Sequence, residues 1–161
     1  MAIQVGDKIP SVTLKTTDMK DITTDTIFGG KKVVLFAVPG AFTPTCSVKH
    51  LPGFVGKAAE IKAKGVDSIV CTSVNDAFVM DAWGKDRGVG DEVLLVADGN
   101  ADLAKALGLD FDGSGIGFGV RAQRFALIAD DGVVTHLAVE QPMKFEVSSA
   151  ESILEALGDV R

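Results

Sequence analysis

Lys32-Val-Val-Leu-Phe-Ala-Val38, running into Pro39-Gly-Ala-Phe-Thr-Pro-Thr-Cys-Ser47, joins a buried strand to the start of a helix. The first part is apolar after its lysine and rich in β-branched residues, as a central strand covered on both faces would be. Pro39 and Gly40 end it. Thr43 suits an N-cap, and Pro44 suits the first helical position, where a missing N–H costs nothing. Cys46 then falls in the first turn, among N–H groups with no intrahelical partner, at the positive end of the helix dipole. Those donors favour the thiolate, the nucleophilic form of the side chain. A lone cysteine is more often an inert, buried apolar residue. The turn chemistry around Cys46 reverses that preference.

Outward from this stretch, apolar residues at Leu51, Phe54, Val55, Ala58, Ala59 and Ile61 predict a helix from Pro44 to about Lys64, closed by Gly65. Pro52 inside it predicts a kink or a brief break. Upstream, residues 1–31 read as an irregular lead-in with a short hairpin or edge strands over Ile3–Pro10 and Ser11–Lys15, and one turn at Asp25–Phe28. Downstream, Val66–Ser73 and Val93–Ala97 read as further strands. Between them Asn75-Asp76 caps a helix over Ala77–Arg87, with Phe78 and Trp83 as core positions. Asn100 begins a helix over Ala101–Leu107, and the glycine-rich run Gly108–Gly119 reads as loop. Asp131-Gly132 between Arg124–Asp130 and Val133–Val139 is a strong hairpin signal. Ser148 or Ser149 can cap a last helix through Leu157. This order predicts an α/β protein with a mixed central β-sheet flanked by helices, the thioredoxin-like fold with an N-terminal extension. In such sheets ligands bind beyond the carboxyl ends of the strands, where the loop after Val38 lies.

No repeat, linker or low-complexity stretch divides the 161 residues, so one domain over 1–161 is expected. A hydrophobic fraction of 47% and a charged fraction of 24% are ordinary for a globular chain. The net charge of −6 argues against nucleic acid or an anionic membrane surface as partner. No apolar run approaches a membrane span, and the opening Met1-Ala-Ile-Gln-Val-Gly-Asp-Lys8 lacks the pattern of a signal peptide, so a cytoplasmic location is the default. Cys46 and Cys71 are the only cysteines and form no C-x-x-C. With only His50 and His136 besides, no metal-ligand spacing appears, and neither metal nor cofactor is expected. Gly113-Ser-Gly-Ile-Gly-Phe-Gly119 lacks the spacing, lysine and preceding strand of a nucleotide loop. His50 lies one turn beyond Cys46, which leaves open either an influence on the thiol or a packing role. His136 reads as structural.

The spacing Pro39-x-x-x-Thr43-x-x-Cys46 resembles the peroxidatic-cysteine signature of the peroxiredoxins. The longer string Val38–Ser47, followed by Lys49-His-Leu-Pro-Gly-Phe54, is similar to the type II (peroxiredoxin 5-like) subgroup. Lys62-Ala-Lys-Gly-Val66, Ser73-Val-Asn-Asp-Ala-Phe78 and Arg121-Ala-Gln-Arg-Phe-Ala-Leu127 match in order. The resemblance implies a thiol peroxidase for hydrogen peroxide and alkyl hydroperoxides, in antioxidant defence and redox homeostasis. It implies Cys46 as nucleophile passing through a sulfenic acid, Thr43 as the hydroxyl that contacts it, Pro39 as the residue shielding the pocket and Arg124 as the arginine near the thiolate. Arg121 is a second candidate beside Arg124. Cys71 reads as a buried strand thiol, and Val147-Ser-Ser-Ala150 holds no cysteine where subgroup members that form an intramolecular disulfide carry one. An outside thiol, from glutathione, glutaredoxin or thioredoxin, is therefore expected to restore Cys46. The resemblance also implies a homodimer. A peroxide-sensing regulator acting through a partner is the alternative reading, and a disulfide oxidoreductase is disfavoured by the missing C-x-x-C.

Overall fold

A computed structural model describes residues 2–158 of the chain, so Met1 and residues 159–161 of the expected domain lie outside the described residues. The central strand forms as expected: β3, Lys32–Ala37, is buried from Val33 onward. Its side chains alternate between two cores. Val34 and Phe36 face one, with Phe54, Ile61 and Trp83, while Val33, Leu35 and Ala37 face the other, with Leu103, Leu107 and Phe125. β4, Ser68–Ser73, runs parallel to β3 on one side, and β8, Phe125–Asp130, runs antiparallel on the other. β5, Leu94–Ala97, continues the sheet parallel to β4, and β9, Val133–Val139, closes the far edge against β8. The β8–β9 turn is the Asp131-Gly132 pair, both at positive φ (49° and 81°), as a two-residue hairpin of this kind requires.

The N-terminal extension contributes β1, Thr13–Thr16, β2, Asp21–Thr23, and a short helix α1, Thr24–Phe28. The hairpin thus sits at 13–23, later than the alternation over 3–15 suggests. Pro10 ends the first alternating run, and Lys8 makes only an isolated bridge to Val133. The seven-stranded sheet has the order β2-β1-β5-β4-β3-β8-β9, with β1 antiparallel to β5. Helices α2 (Leu51–Ala63), α3 (Ala77–Asp86) and α5 (Ala150–Leu157) cover one face. α4 (Asp102–Leu107) and α1 cover the other.

Three local details depart from expectation. Phe78 is 69% exposed, because α3 packs through Ala77, Met80, Trp83 and Gly84 and Phe78 lies off that stripe. Helix α4 is capped by Asp98, whose two carboxylate oxygens accept from Leu103 and Ala104, while the residue at the cap position is Ala101, at φ 60° and with no side-chain cap bond. The run 108–119 is not all loop. β6, Asp110–Asp112, pairs with β7, Val120–Ala122, around a 3₁₀ turn at Ser114–Ile116.

Candidate active site

The chain leaves β3 and folds a tight loop before the helix begins at Pro44. Ala41 N–H donates to Asn75 Oδ1 at 2.9 Å, and Thr43 N–H donates to Gly40 O at 3.3 Å. These bonds hold Phe42 at φ 66°, in the left-handed region that bulky residues seldom occupy. Gly40 leaves room for two side chains here. A Cβ on it would stand 2.9 Å from Arg121 Nη1 and 3.1 Å from Thr43 Cγ2. Thr43 occupies the cap position, its carbonyl accepting the first i to i+4 bond from Ser47 N–H at 3.0 Å. Its hydroxyl donates to Gly40 O at 2.7 Å, which ties the turn shut instead of aiming its hydrogen at sulfur.

Cys46–His50 is a π-helical turn, with Leu51 N–H reaching back five residues to Cys46 O. Pro52 explains the wide turn. An α-helical path would press its ring onto the carbonyl four residues earlier, and the extra residue in the loop relieves that contact. The same turn puts both Cys46 and His50 inside, each 0% exposed. Ser47 pins the turn to α3, since Trp83 Nε1–H donates to its hydroxyl at 2.9 Å and Arg87 donates to its carbonyl at 3.1 Å.

Arg124, between β7 and β8, reaches the sulfur directly. Its Nη2 donates to Cys46 Sγ at 2.9 Å and its Nη1 donates to His50 Nδ1 at 2.8 Å. The other ring nitrogen of His50 meets the Ser148 carbonyl at 2.9 Å. A carbonyl only accepts, so Nε2 carries the hydrogen and Nδ1 is left as the acceptor that Arg124 needs. Burial, and then the Arg124 charge, push His50 down to about 3, so the ring is neutral under ordinary conditions. Phe36, Phe54 and Phe145 surround it, with ring centroids 4.9, 5.6 and 4.9 Å away. A permanently charged guanidinium thus stands against a sulfur at a helix start, and it leaves remaining donors for an oxygen atom beside it.

In front of this group opens a cavity of about 550 Å³, lined by Pro39, Thr43, Pro44, Thr45 and Arg124 on the sulfur side. The β6–β7 hairpin supplies Phe111, Ile116 and Phe118, and the segment after β9 supplies Pro142, Met143 and Phe145. The lining is mostly apolar carbon, with Arg124, Gln123, Glu140, Gln141 and Lys144 among its polar members, a composition suited to a small molecule with one reactive polar head. Among the described residues, no group of three or more His, Cys, Asp and Glu gathers as metal ligands would.

Cys46, Thr43, Pro39 and Arg124 thus come together at the carboxyl end of β3. Arg121 stands one layer back. It donates to Pro39 O at 3.1 Å and to Phe118 O at 2.9 Å, bracing the loop instead of touching sulfur. Cys71 is on β4 beside Phe36, fully buried, and burial together with neighbouring Cys46 pushes its thiol well above the usual cysteine range. His136 pairs with Ile128 across the β8–β9 ladder, away from these residues. Sequence reasoning left His50 undecided and missed Asn75, Trp83 as a donor, and the segment carrying Ser148. The one signal for His50 was its position four residues after Cys46.

Comparison with known proteins agrees with this geometry. The family model described as Redoxin matches residues 4–154. Peroxiredoxin-2E, chloroplastic, from Arabidopsis thaliana is 53% identical over 163 residues, which cover 97% of this chain and 70% of that protein. The crystal structure of reduced Prx3 in complex with hydrogen peroxide, from Vibrio vulnificus, superposes with a TM-score of 0.92 at 55% identity, covering 96% of this chain and 99% of that one. Peroxiredoxin 5 from Alvinella pompejana superposes with a TM-score of 0.86 at 31% identity, over 96% of this chain and 97% of that one. Among the described residues, no helix is long and apolar enough to cross a membrane. Matched across nearly its whole length in both sequence and fold, the chain belongs to the Redoxin family as a type II (peroxiredoxin 5-like) peroxiredoxin, a thiol-dependent peroxidase.

Proposed function

We propose that Cys46 is the peroxidatic nucleophile, working with Arg124, Thr43 and Pro39 in one domain spanning 1–161. The observation that carries this reading is the 2.9 Å contact from Arg124 Nη2 to Cys46 Sγ at a buried helix start. The thiolate attacks the nearer peroxide oxygen, an S–O bond forms as the O–O bond breaks, and the departing oxygen takes up a proton to leave as water or an alcohol. Arg124 holds the negative charge as it moves from sulfur to that oxygen. Thr43 shapes the turn that presents the sulfur, and Pro39 walls the cavity. The apolar lining of the cavity supports organic hydroperoxides as substrates alongside hydrogen peroxide.

The product is a Cys46 sulfenic acid, which an external thiol attacks to give a mixed disulfide and water. A second thiol then restores the Cys46 thiol. Burial of Cys71 in β4 supports glutathione with glutaredoxin, or thioredoxin, as the source of these thiols. Exposed Phe42, Val48 and Phe78 on the loop, the π turn and α3 support a homodimer. A cytoplasmic setting, where thiols are kept reduced, completes the reading.

Peroxide consumption driven by glutathione and glutaredoxin, compared with thioredoxin, tests it. Activity should vanish in Cys46→Ser and persist in Cys71→Ser, and sedimentation should give a dimer mass. Full activity in Cys46→Ser would remove the assignment.

A further inference from the structure

The segment between β9 and α5 is organised by a single buried carboxylate. Glu140 accepts from Glu146 N–H at both oxygens (2.9 Å each), from Val147 N–H and Ser148 N–H at 2.8 Å, and from the Ser148 hydroxyl at 2.7 Å. Glu140 is 7% exposed and Ser148 is fully buried. Three successive amides converging on one anion form a rigid clasp, because each N–H would otherwise be left unpaired on losing it. The clasp fixes two things. It sets the Ser148 carbonyl 2.9 Å from His50 Nε2, and it closes the segment that carries Phe145 over both the His50 ring and the Arg124 guanidinium (centroid to Cζ 5.8 Å).

We propose that Glu140 and His50 are positioning residues for the peroxide site. The Glu140 clasp presents the Ser148 carbonyl to His50, which fixes the ring tautomer and thereby aims Arg124 at Cys46. Each step follows from hydrogen-bond inventory. An imidazole free to place its hydrogen on Nδ1 would turn a donor toward a guanidinium that has only donors. Arg124 would then lose the bond that fixes its plane, and Nη2 would leave the sulfur. The charged groups near His50 are Arg124 and Glu140, and the remaining walls are the aromatic rings of Phe36, Phe54 and Phe145. Neutral His50 is therefore the hinge of the relay. Its partner carbonyl comes from a residue 98 positions away, so the site depends on the C-terminal segment as well as on its own loop.

The inference rests on Cys46 as nucleophile, and three variants test it by stopped-flow peroxide kinetics and by the ultraviolet absorbance of the thiolate against pH. His50→Leu keeps the volume and removes both ring nitrogens. Its peroxide rate constant should fall about tenfold or more, as loss of a hydrogen bond to a charged group does. His50→Gln keeps one acceptor and one donor on a planar group and should recover most of that loss. Glu140→Gln turns an amide donor toward the three backbone donors. It should lower the rate like His50→Leu, raise the pH at which the thiolate absorbance appears, and speed hydrogen exchange at residues 146–148. Equal rates in His50→Leu and His50→Gln would reduce the ring to packing and overturn the relay. So would a Glu140→Gln protein with fast exchange at 146–148 and an unchanged rate. If Glu140→Gln does not fold, the two His50 variants decide. An inactive Cys46→Ser beside a fully active His50→Leu rejects the relay alone, whereas an active Cys46→Ser rejects the nucleophile.

Discussion

Mild acid should weaken the folding stability of this protein through His50. In the unfolded chain the ring titrates near 6.5, whereas in the folded chain burial, and then the Arg124 charge, push it down to about 3. Because the folded value lies below the unfolded one, the unfolded state binds the extra proton, and stability falls as pH drops below about 6.5. From pH 7 to pH 5 one such group removes ~2 kcal/mol of folding stability. At pH 5 that figure is governed by the unfolded midpoint and is insensitive to where below 4 the folded one lies. Urea unfolding of wild type and of His50→Gln, at pH 7 and pH 5 and one protein concentration, isolates the contribution, since the amide cannot titrate. His136, lowered by burial, and Asp98, raised by burial, titrate alike in both proteins and cancel in the comparison. Wild type should lose ~2 kcal/mol more than the variant over this interval. Equal losses would mean that His50 becomes charged inside the fold without penalty, and the neutral-ring geometry at Arg124 would be wrong.

Three further outcomes follow from the same contacts. Arg124→Lys keeps a charge but cannot bond both Cys46 Sγ and His50 Nδ1. Its peroxide rate constant should fall roughly 10- to 100-fold, the equivalent of about 1.5–3 kcal/mol, and a rate within twofold of wild type would refute the two-pronged role. Iodoacetamide at neutral pH followed by peptide mass spectrometry should modify Cys46 and spare Cys71, whose thiol burial keeps protonated; preferential labelling of Cys71 would contradict its place in β4. Trp83→Phe fills most of the volume but leaves the Ser47 hydroxyl without its indole donor, and should cost about 1–2 kcal/mol in urea unfolding. No loss of stability would mean that this bond does not hold the π turn.

Features specified by neighbouring residues were legible in the sequence. β3 declared itself by composition, the β8–β9 hairpin by Asp131-Gly132, and the helix start by Thr43-Pro44. Pro52 announced a break, although not that the chain would answer with a π turn that carries Cys46 and His50 inward together. Cys46, Thr43, Pro39 and Arg124 were reached by motif. The hydroxyl of Thr43 bonds the Gly40 carbonyl, a detail of loop closure that spacing does not encode. Phe78 was misread because helical periodicity identifies a stripe only when the whole stripe is weighed, and Ala77, Met80, Trp83 and Gly84 form it. Asp98 was missed as a cap because the left-handed turn at Ala101 lets a side chain three residues further back reach the helix. The Glu140 clasp and its hold on His50 depend on irregular backbone over 140–148 meeting a residue nearly a hundred positions earlier. Neither end carries a local signature.

With Cys46 as the proposed nucleophile, its complete burial gives the two halves of the catalytic cycle opposite demands on size. A peroxide is small enough for the cavity whose wall includes Arg124, the residue that bonds the buried sulfur, so oxidation is a matter of fit. Reduction is not. The thiol of a protein such as glutaredoxin sits on a surface far too broad to enter a space of about 550 Å³. Rescue by such a partner would require the π turn to lift out and give up the contacts of Ser47 with Trp83 and Arg87. The strength of those contacts then sets how long the oxidised cysteine waits, and therefore how much further peroxide it meets before rescue.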